Sequence, residues 1–96
     1  YGLSNIISVG ALDKAGQPLY EHARLWTDDF APGQNVLSTL PGGSYGYKTG
    51  SSQAAAYMTG FIAHRMIKNN QTFVDSKEQL LSMYRKWILS KTDPLF

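Results

Sequence analysis

The sequence predicts a mixed α/β fold, with strands in its first half and helices in its second. Three observations predict it. Eight of the nine glycines and three of the four prolines lie at or before residue 50, whereas residues 53–91 hold one glycine and no proline. Turn chemistry is therefore concentrated in the first half. Ile6-Ile7-Ser8-Val9-Gly10-Ala11-Leu12 is a short, nearly continuous apolar run, the pattern of a parallel strand covered by helices on both faces. Two later segments repeat apolar residues at helical spacing.

The elements follow in order. After the first strand, Asp13, Gly16 and Pro18 supply turn chemistry. A second strand is expected over residues 25–31, ended by Pro32-Gly33. A third covers 36–40, ended by Pro41-Gly42-Gly43, and Tyr45-Gly46-Tyr47-Lys48 reads as a short edge element. Strands and turns thus occupy residues 5–50. A helix follows over 52–69, with Ala54, Met58, Phe61, Ile62 and Met66 on its apolar side and small residues in its first turn. Small side chains there let another backbone pack close. A last helix is expected over 76–90, capped by Asp75 or Ser76, with Leu80, Leu81, Tyr84, Trp87 and Ile88 as its stripe.

Length and composition bound the function. Ninety-six residues of 10.6 kDa make one domain or part of one. The absence of cysteine excludes disulfides, thiolate zinc and a cysteine nucleophile. A net charge of +2 gives no reason to expect a nucleic-acid partner. No apolar run approaches a membrane span, and no signal peptide is visible. The chain opens on Tyr1, which reads as the start of a processed or nicked piece of something longer.

The stretch with the most chemistry is Thr49-Gly50-Ser51-Ser52-Gln53-Ala54-Ala55-Ala56. Serines sit where a loop enters a helix, and a helix start offers unpaired N–H groups and a positive dipole end. A serine there can attack a carbonyl while its own N–H stabilises the oxyanion. Taken alone, the pattern favours a plain helix cap.

The wider order of motifs changes that reading. Asn5-Ile6-Ile7-Ser8-Val9-Gly10-Ala11, Phe30-Ala31-Pro32-Gly33, Ser38-Thr39-Leu40-Pro41-Gly42 and Gly50-Ser51-Ser52-Gln53-Ala54 come in this sequence. It resembles the C-terminal part of the subtilisin-like serine peptidases over about residues 5–69. The resemblance implies the C-terminal part of a three-layer α/β/α domain with a mostly parallel sheet. It implies Ser52 as the nucleophile, with its N–H as half of the oxyanion hole. It makes Ser51 a supporting hydroxyl, and Thr49 and Gly50 cleft-lining residues beside the nucleophile. Catalysis there requires no cofactor. A structural calcium would be held mainly by residues outside this chain, with Asp28 near one weak cation position but better read as a solvated loop aspartate.

This sequence departs from the family motif at four places: Ser51 for Thr, Gln53 for a common Met, Ala56 for Pro and Tyr57 for His. Thr59 also replaces a smaller residue. The nucleophile is kept, so the first expectation is an endopeptidase acting through an acyl-enzyme on peptide or protein substrates. The alternative is an inactive subtilase-like binding protein, and a third is an unrelated α/β module in which Ser52 only caps a helix.

A serine needs a base. His64 lies twelve residues after Ser52 on the same expected helix, about 18 Å along its axis at 1.5 Å per residue. That is beyond hydrogen-bond reach. His22 falls, by resemblance, in an exposed hairpin. The Asp, His and oxyanion Asn are therefore expected on a separate N-terminal fragment of the same domain, which would also cover the first strand. The family resemblance implies a secreted protein, and Asn70-Gln71-Thr72 is an N-glycosylation sequon between the two helices. The six tyrosines are scattered, which suits ordinary packing. Arg65, Lys68, Arg85, Lys86 and Lys91 read as solvated helix faces.

Overall fold

The computed structural model describes residues 5–90, and leaves the side chains of His22 and Ala23 outside the described set. Four strands, β1 (Val9–Leu12), β2 (Asp29–Pro32), β3 (Val36–Leu40) and β4 (Ser44–Lys48), precede two helices, α1 (Ser51–Asn69) and α2 (Phe73–Leu89). A 3-10 helix, Glu21–Leu25, lies between β1 and β2. The mixed α/β class is as expected.

The strands form two small sheets. β1 and β2 pair in parallel, with Gly10 opposite Phe30 and Ala11 opposite Ala31. β3 and β4 form an antiparallel hairpin in which Leu37 faces Tyr47 and Thr39 faces Tyr45. The hairpin turns through Gly42 and Gly43, both at positive φ, which glycine adopts without strain.

Small residues decide how closely α1 approaches the parallel pair. Ala11, Ala31 and Ala54 are fully buried together, so no bulky side chain separates helix and sheet. Met58 and Ile62 on α1, with Leu80, Leu81 and Tyr84 on α2, complete the core. The Tyr84 hydroxyl donates to the Phe30 carbonyl at 2.7 Å. Burial, with Asp29 close by, pushes the phenol pKa up, so the hydroxyl keeps the proton it donates. Phe61, Tyr84, Trp87 and Tyr57 pack ring against ring between the helices, with centroids 5.1–6.2 Å apart. Four of the six tyrosines are placed among the described residues by this cluster and by β4.

Several boundaries differ from expectation, each for a physical reason. The apolar run at 6–12 is strand only over 9–12, and Ile6 is 43% exposed. Within the described residues the sheet has two parallel strands, too few to cover β1 on both edges. The second strand starts at Asp29 because Leu25 belongs to the 3-10 helix. α2 opens three residues early, with Thr72 at its N-cap position rather than Asp75 or Ser76. The Thr72 hydroxyl instead donates to the Asp75 carboxylate at 2.9 Å.

Asp28 is an anchor, not a solvated loop residue. Its carboxylate accepts from the Ser8 N–H at 2.9 Å and the Ser8 hydroxyl at 3.3 Å. The Asp28 N–H donates to the Ser8 carbonyl at 2.9 Å. Lys77, almost buried on α2, stands 3.9 Å from the same carboxylate. The Ser8 N–H bond is the main reason the Asp28 pKa is lowered, with Lys77 adding to it and burial opposing it. A carboxylate with a lowered folded-state pKa stabilises the fold above its unfolded-state pKa, and that contribution disappears as pH falls through the folded value. Asp28→Asn should therefore weaken the protein at neutral pH and flatten the acid side of its stability profile below about pH 4. Unfolding followed by tryptophan fluorescence from pH 7 to pH 2 measures both effects. An unchanged acid limb would mean that the staple contributes nothing to stability.

Candidate active site

The Ser51-Ser52 turn is set by two glycines that touch across the fold. The Gly50 N–H donates to the Gly33 carbonyl at 2.7 Å, and the Gly33 N–H donates to the Leu12 carbonyl at 3.0 Å. The end of β1, the turn after β2 and the start of α1 are thus tied in one chain of backbone bonds. A Cβ at Gly33 would stand 2.6 Å from the Ala11 Cβ and 2.7 Å from the Gly50 carbonyl oxygen, so only glycine fits. Gly50 takes φ 154°, ψ 172°, a region in which side-chain-bearing residues are strained.

Thr49 reinforces this joint. Its hydroxyl oxygen accepts from the Asn35 N–H at 3.0 Å, and Asn35 itself holds a positive φ of 52°. Thr49 is exposed and Gly50 half-buried. The two residues expected to line a cleft therefore also fix the position of the helix start.

α1 begins at Ser51, with Gly50 at the N-cap position. Neither Ser51 nor Ser52 caps the helix, and no side-chain hydrogen bond closes its N-terminus. The bland reading of this serine pair as a cap does not hold, because the capping position falls one residue earlier. Both serines are exposed. The first turn of α1 contains no acidic residue, so the helix supplies no carboxylate of its own to the positive end of its dipole. Gln53 is half-buried and its amide oxygen lies over Gly50, 3.2 Å from where a Cβ would stand.

The remaining sequence candidates are dispersed. His64 is exposed, three turns along α1 from Ser52. The backbone of His22 lies in the 3-10 helix rather than a hairpin, and its side chain is outside the described residues. Ala56 is exposed, while Tyr57 packs on Trp87 at 5.8 Å, which gives that departure a place in the aromatic cluster. Asn70 is exposed at the left-handed C-cap of α1. Among the described residues no three His, Asp or Glu side chains converge to hold a metal, and the Asp28 carboxylate is already occupied by Ser8 and Lys77. No described helix is long and apolar enough to cross a membrane.

The joint through Gly33 escaped sequence reasoning. Pro32-Gly33 reads locally as a strand terminator, and nothing local shows that Gly33 must lie against Gly50.

No family model matches the chain, and no solved structure matches it. Curated relatives do. The chain is 35% identical over 60 residues to the Thermophilic serine proteinase of Bacillus sp. (strain AK1), covering 62% of this chain and 15% of that protein. It is 39% identical over 61 residues to the Major intracellular serine protease of Bacillus subtilis (strain 168), covering 62% and 19%. Over a shorter 36 residues it is 58% identical to Subtilisin-like protease 10 of Arthroderma benhamiae, covering 38% and 7%. The chain thus spans about a fifth or less of the length of these relatives. An α/β chain with this motif order is thus similar, over part of its length, to subtilisin-like serine proteases.

Proposed function

We propose that this chain is the serine-bearing part of a subtilisin-like endopeptidase, with Ser52 as its nucleophile. The observation that carries the reading is the exposed Ser52 on the first turn of α1, where no side chain caps the helix and the turn itself holds no acidic residue. The Ser52 hydroxyl oxygen attacks the peptide carbonyl carbon and its proton passes to a histidine base. The oxyanion receives the Ser52 N–H, with the Ser51 hydroxyl in support. The C–N bond then breaks, the amine leaves with the proton, and water releases the acyl group. Thr49 and Gly50 border the substrate beside this centre. No cofactor takes part, and a structural calcium would be bound by residues outside this chain.

The base, its aspartate and an oxyanion asparagine belong to a separate N-terminal fragment of the same domain. Two features support this. The chain covers a small share of its relatives' length. An open apolar groove of about 280 Å³ also runs between β1 and α1, lined by Ile7, Val9, Ala55, Met58 and Ile62 among others, as expected of a face that another part of the domain covers. The sequon at Asn70 suits a secreted protein, although one matched relative is named as intracellular.

The test is labelling by a fluorophosphonate with peptide mapping. The chain alone should not react, and the chain with its N-terminal fragment should be labelled on Ser52. Labelling of the isolated 96-residue chain would overturn the split site. No labelling of the complex would favour the inactive, peptide-binding form of the fold.

Gln53 carries a further expectation. A methionine beside the nucleophile is open to oxidation to a bulkier, polar sulfoxide, whereas glutamine is not. Met58 is buried and Met66 and Met83 are half-buried, so peroxide should reach them slowly. Activity should survive peroxide, and Gln53→Met should become sensitive with little change in initial rate. Peptide hydrolysis before and after peroxide on both forms measures this. Rapid inactivation of the unchanged protein without methionine oxidation would place Gln53 away from the reacting atoms.

A further inference from the structure

We infer that the groove between the far halves of α1 and α2 binds an acidic peptide segment, with Arg65 and Lys86 as its anion-holding pair. This goes beyond the proposed catalytic role of Ser52. The groove is lined by Arg65 and Asn69 from α1 and by Met83, Lys86 and Trp87 from α2. Arg65 follows Ser52 by thirteen residues on α1, about 20 Å along the helix axis.

Three features point to an anion. First, Arg65 is pre-positioned rather than waving in solvent. Its guanidinium carbon lies 5.3 Å from the Phe61 ring centroid, and Phe61 in turn packs on Trp87 at 5.1 Å. A stacked guanidinium presents its remaining donors in a fixed fork, which matches a carboxylate. Second, the Arg65 Nε is buried with no hydrogen-bond partner among the described residues. Among these residues no internal acceptor therefore meets this donor, and no acidic side chain pairs with the guanidinium. Third, the groove brings two cations together with no carboxylate in its lining. Two other cations on α2 are matched: Arg85 holds Asp29 at 2.6 Å and Lys77 faces Asp28. From Phe30 to Val74 the chain has no Asp or Glu at all, so α1 supplies no internal counter-charge.

The rest of the lining selects a peptide over a bare ion. Met83 and the Trp87 ring supply apolar lining beside the two cations, and Asn69 adds a neutral polar group. A glutamate or aspartate flanked by an apolar residue would place its carboxylate on Arg65 and Lys86 and its neighbour on Met83 and Trp87. Such a segment extends across the surface without reaching Ser52, so the site would add affinity for acidic chains without changing the bond-breaking step.

The experiment measures binding directly, on the chain assembled with its N-terminal fragment and with Ser52→Ala to prevent cleavage. Fluorescence anisotropy of a labelled Glu-Leu-Glu-Leu-Glu peptide is compared with its Gln-Leu-Gln-Leu-Gln counterpart, at low and high salt. The acidic peptide should bind at least tenfold more tightly, and the difference should shrink with salt. Arg65→Gln should weaken binding roughly tenfold and Lys86→Gln about threefold. Lys68→Gln, on α1 but outside the groove lining, should leave it unchanged. Arg65→Lys should fall between, because it keeps the charge and loses the fork. Lys86 is exposed, so its variant tests the site even if replacing Arg65 disturbs packing. Equal binding of the two peptides would overturn the inference. So would acidic-peptide binding untouched by either groove variant. Dependence on Arg65 and Lys86 for binding to phosphatidylserine vesicles, but not to the peptide, would assign the groove to a lipid surface and refute the peptide site.

Discussion

Ser52→Ala is expected to abolish fluorophosphonate labelling of the assembled protein and to lower peptide turnover by up to about 10⁶-fold. Loss of a nucleophile leaves only the contributions of binding and the oxyanion donors. The Ser52 backbone N–H survives the substitution, so substrate affinity should change little. The effect therefore falls on kcat rather than KM. Ser51→Ala provides the control. It removes one hydroxyl near the developing charge and leaves the Gly50 cap geometry and both backbone N–H groups in place. Its cost should be far smaller, at most about 10²- to 10³-fold, the range for one oxyanion donor. Parallel steady-state assays of the two variants, with labelling as a second readout, separate the roles. Labelling that persists in Ser52→Ala, or a larger loss in Ser51→Ala, would reverse the assignment of the pair.

The largest expected effect on stability is that of Gly33→Ala. The added methyl meets the Ala11 Cβ at 2.6 Å and the Gly50 carbonyl oxygen at 2.7 Å. Both distances are too short for real contacts, and neither partner is the flexible end of a long side chain. Backbone must move. Overpacking of this kind costs about 1–3 kcal/mol. The movement has a direction, because the same contact carries the Gly50 N–H bond to the Gly33 carbonyl. Relief of the clash should push the Gly50 turn, and Ser52 with it, away from the end of β1. Gly33→Ala should thus lower the denaturation midpoint and reduce turnover together, although residue 33 lies nineteen positions before Ser52. Thr49→Val, which removes the acceptor for the Asn35 N–H, should show the same pairing more weakly. A Gly33→Ala protein with lowered stability and full activity would show that the joint does not position the nucleophile.

Much of the α/β order is legible in the chain itself because it depends on local chemistry. Glycine and proline break the first half into short strands, and residues 53–69 have neither a proline nor more than one glycine to interrupt a helix. The helix entrance after Gly50 was legible as well, whereas Ser52 stood out as a candidate only through the order of four separated motifs, since its local pattern alone favours a cap. Tertiary structure decided what those local signals leave open. The cap position fell to Gly50 because its N–H is held by Gly33 in the turn after β2. Asp28 became a buried-side anchor because Ser8 and Lys77, twenty residues before it and forty-nine after it, converge on one carboxylate. Arg65 and Lys86 became neighbours only because α2 folds back along α1. Local propensity is set within a few residues, whereas each of these contacts joins residues at least seventeen apart, and only packing brings them together.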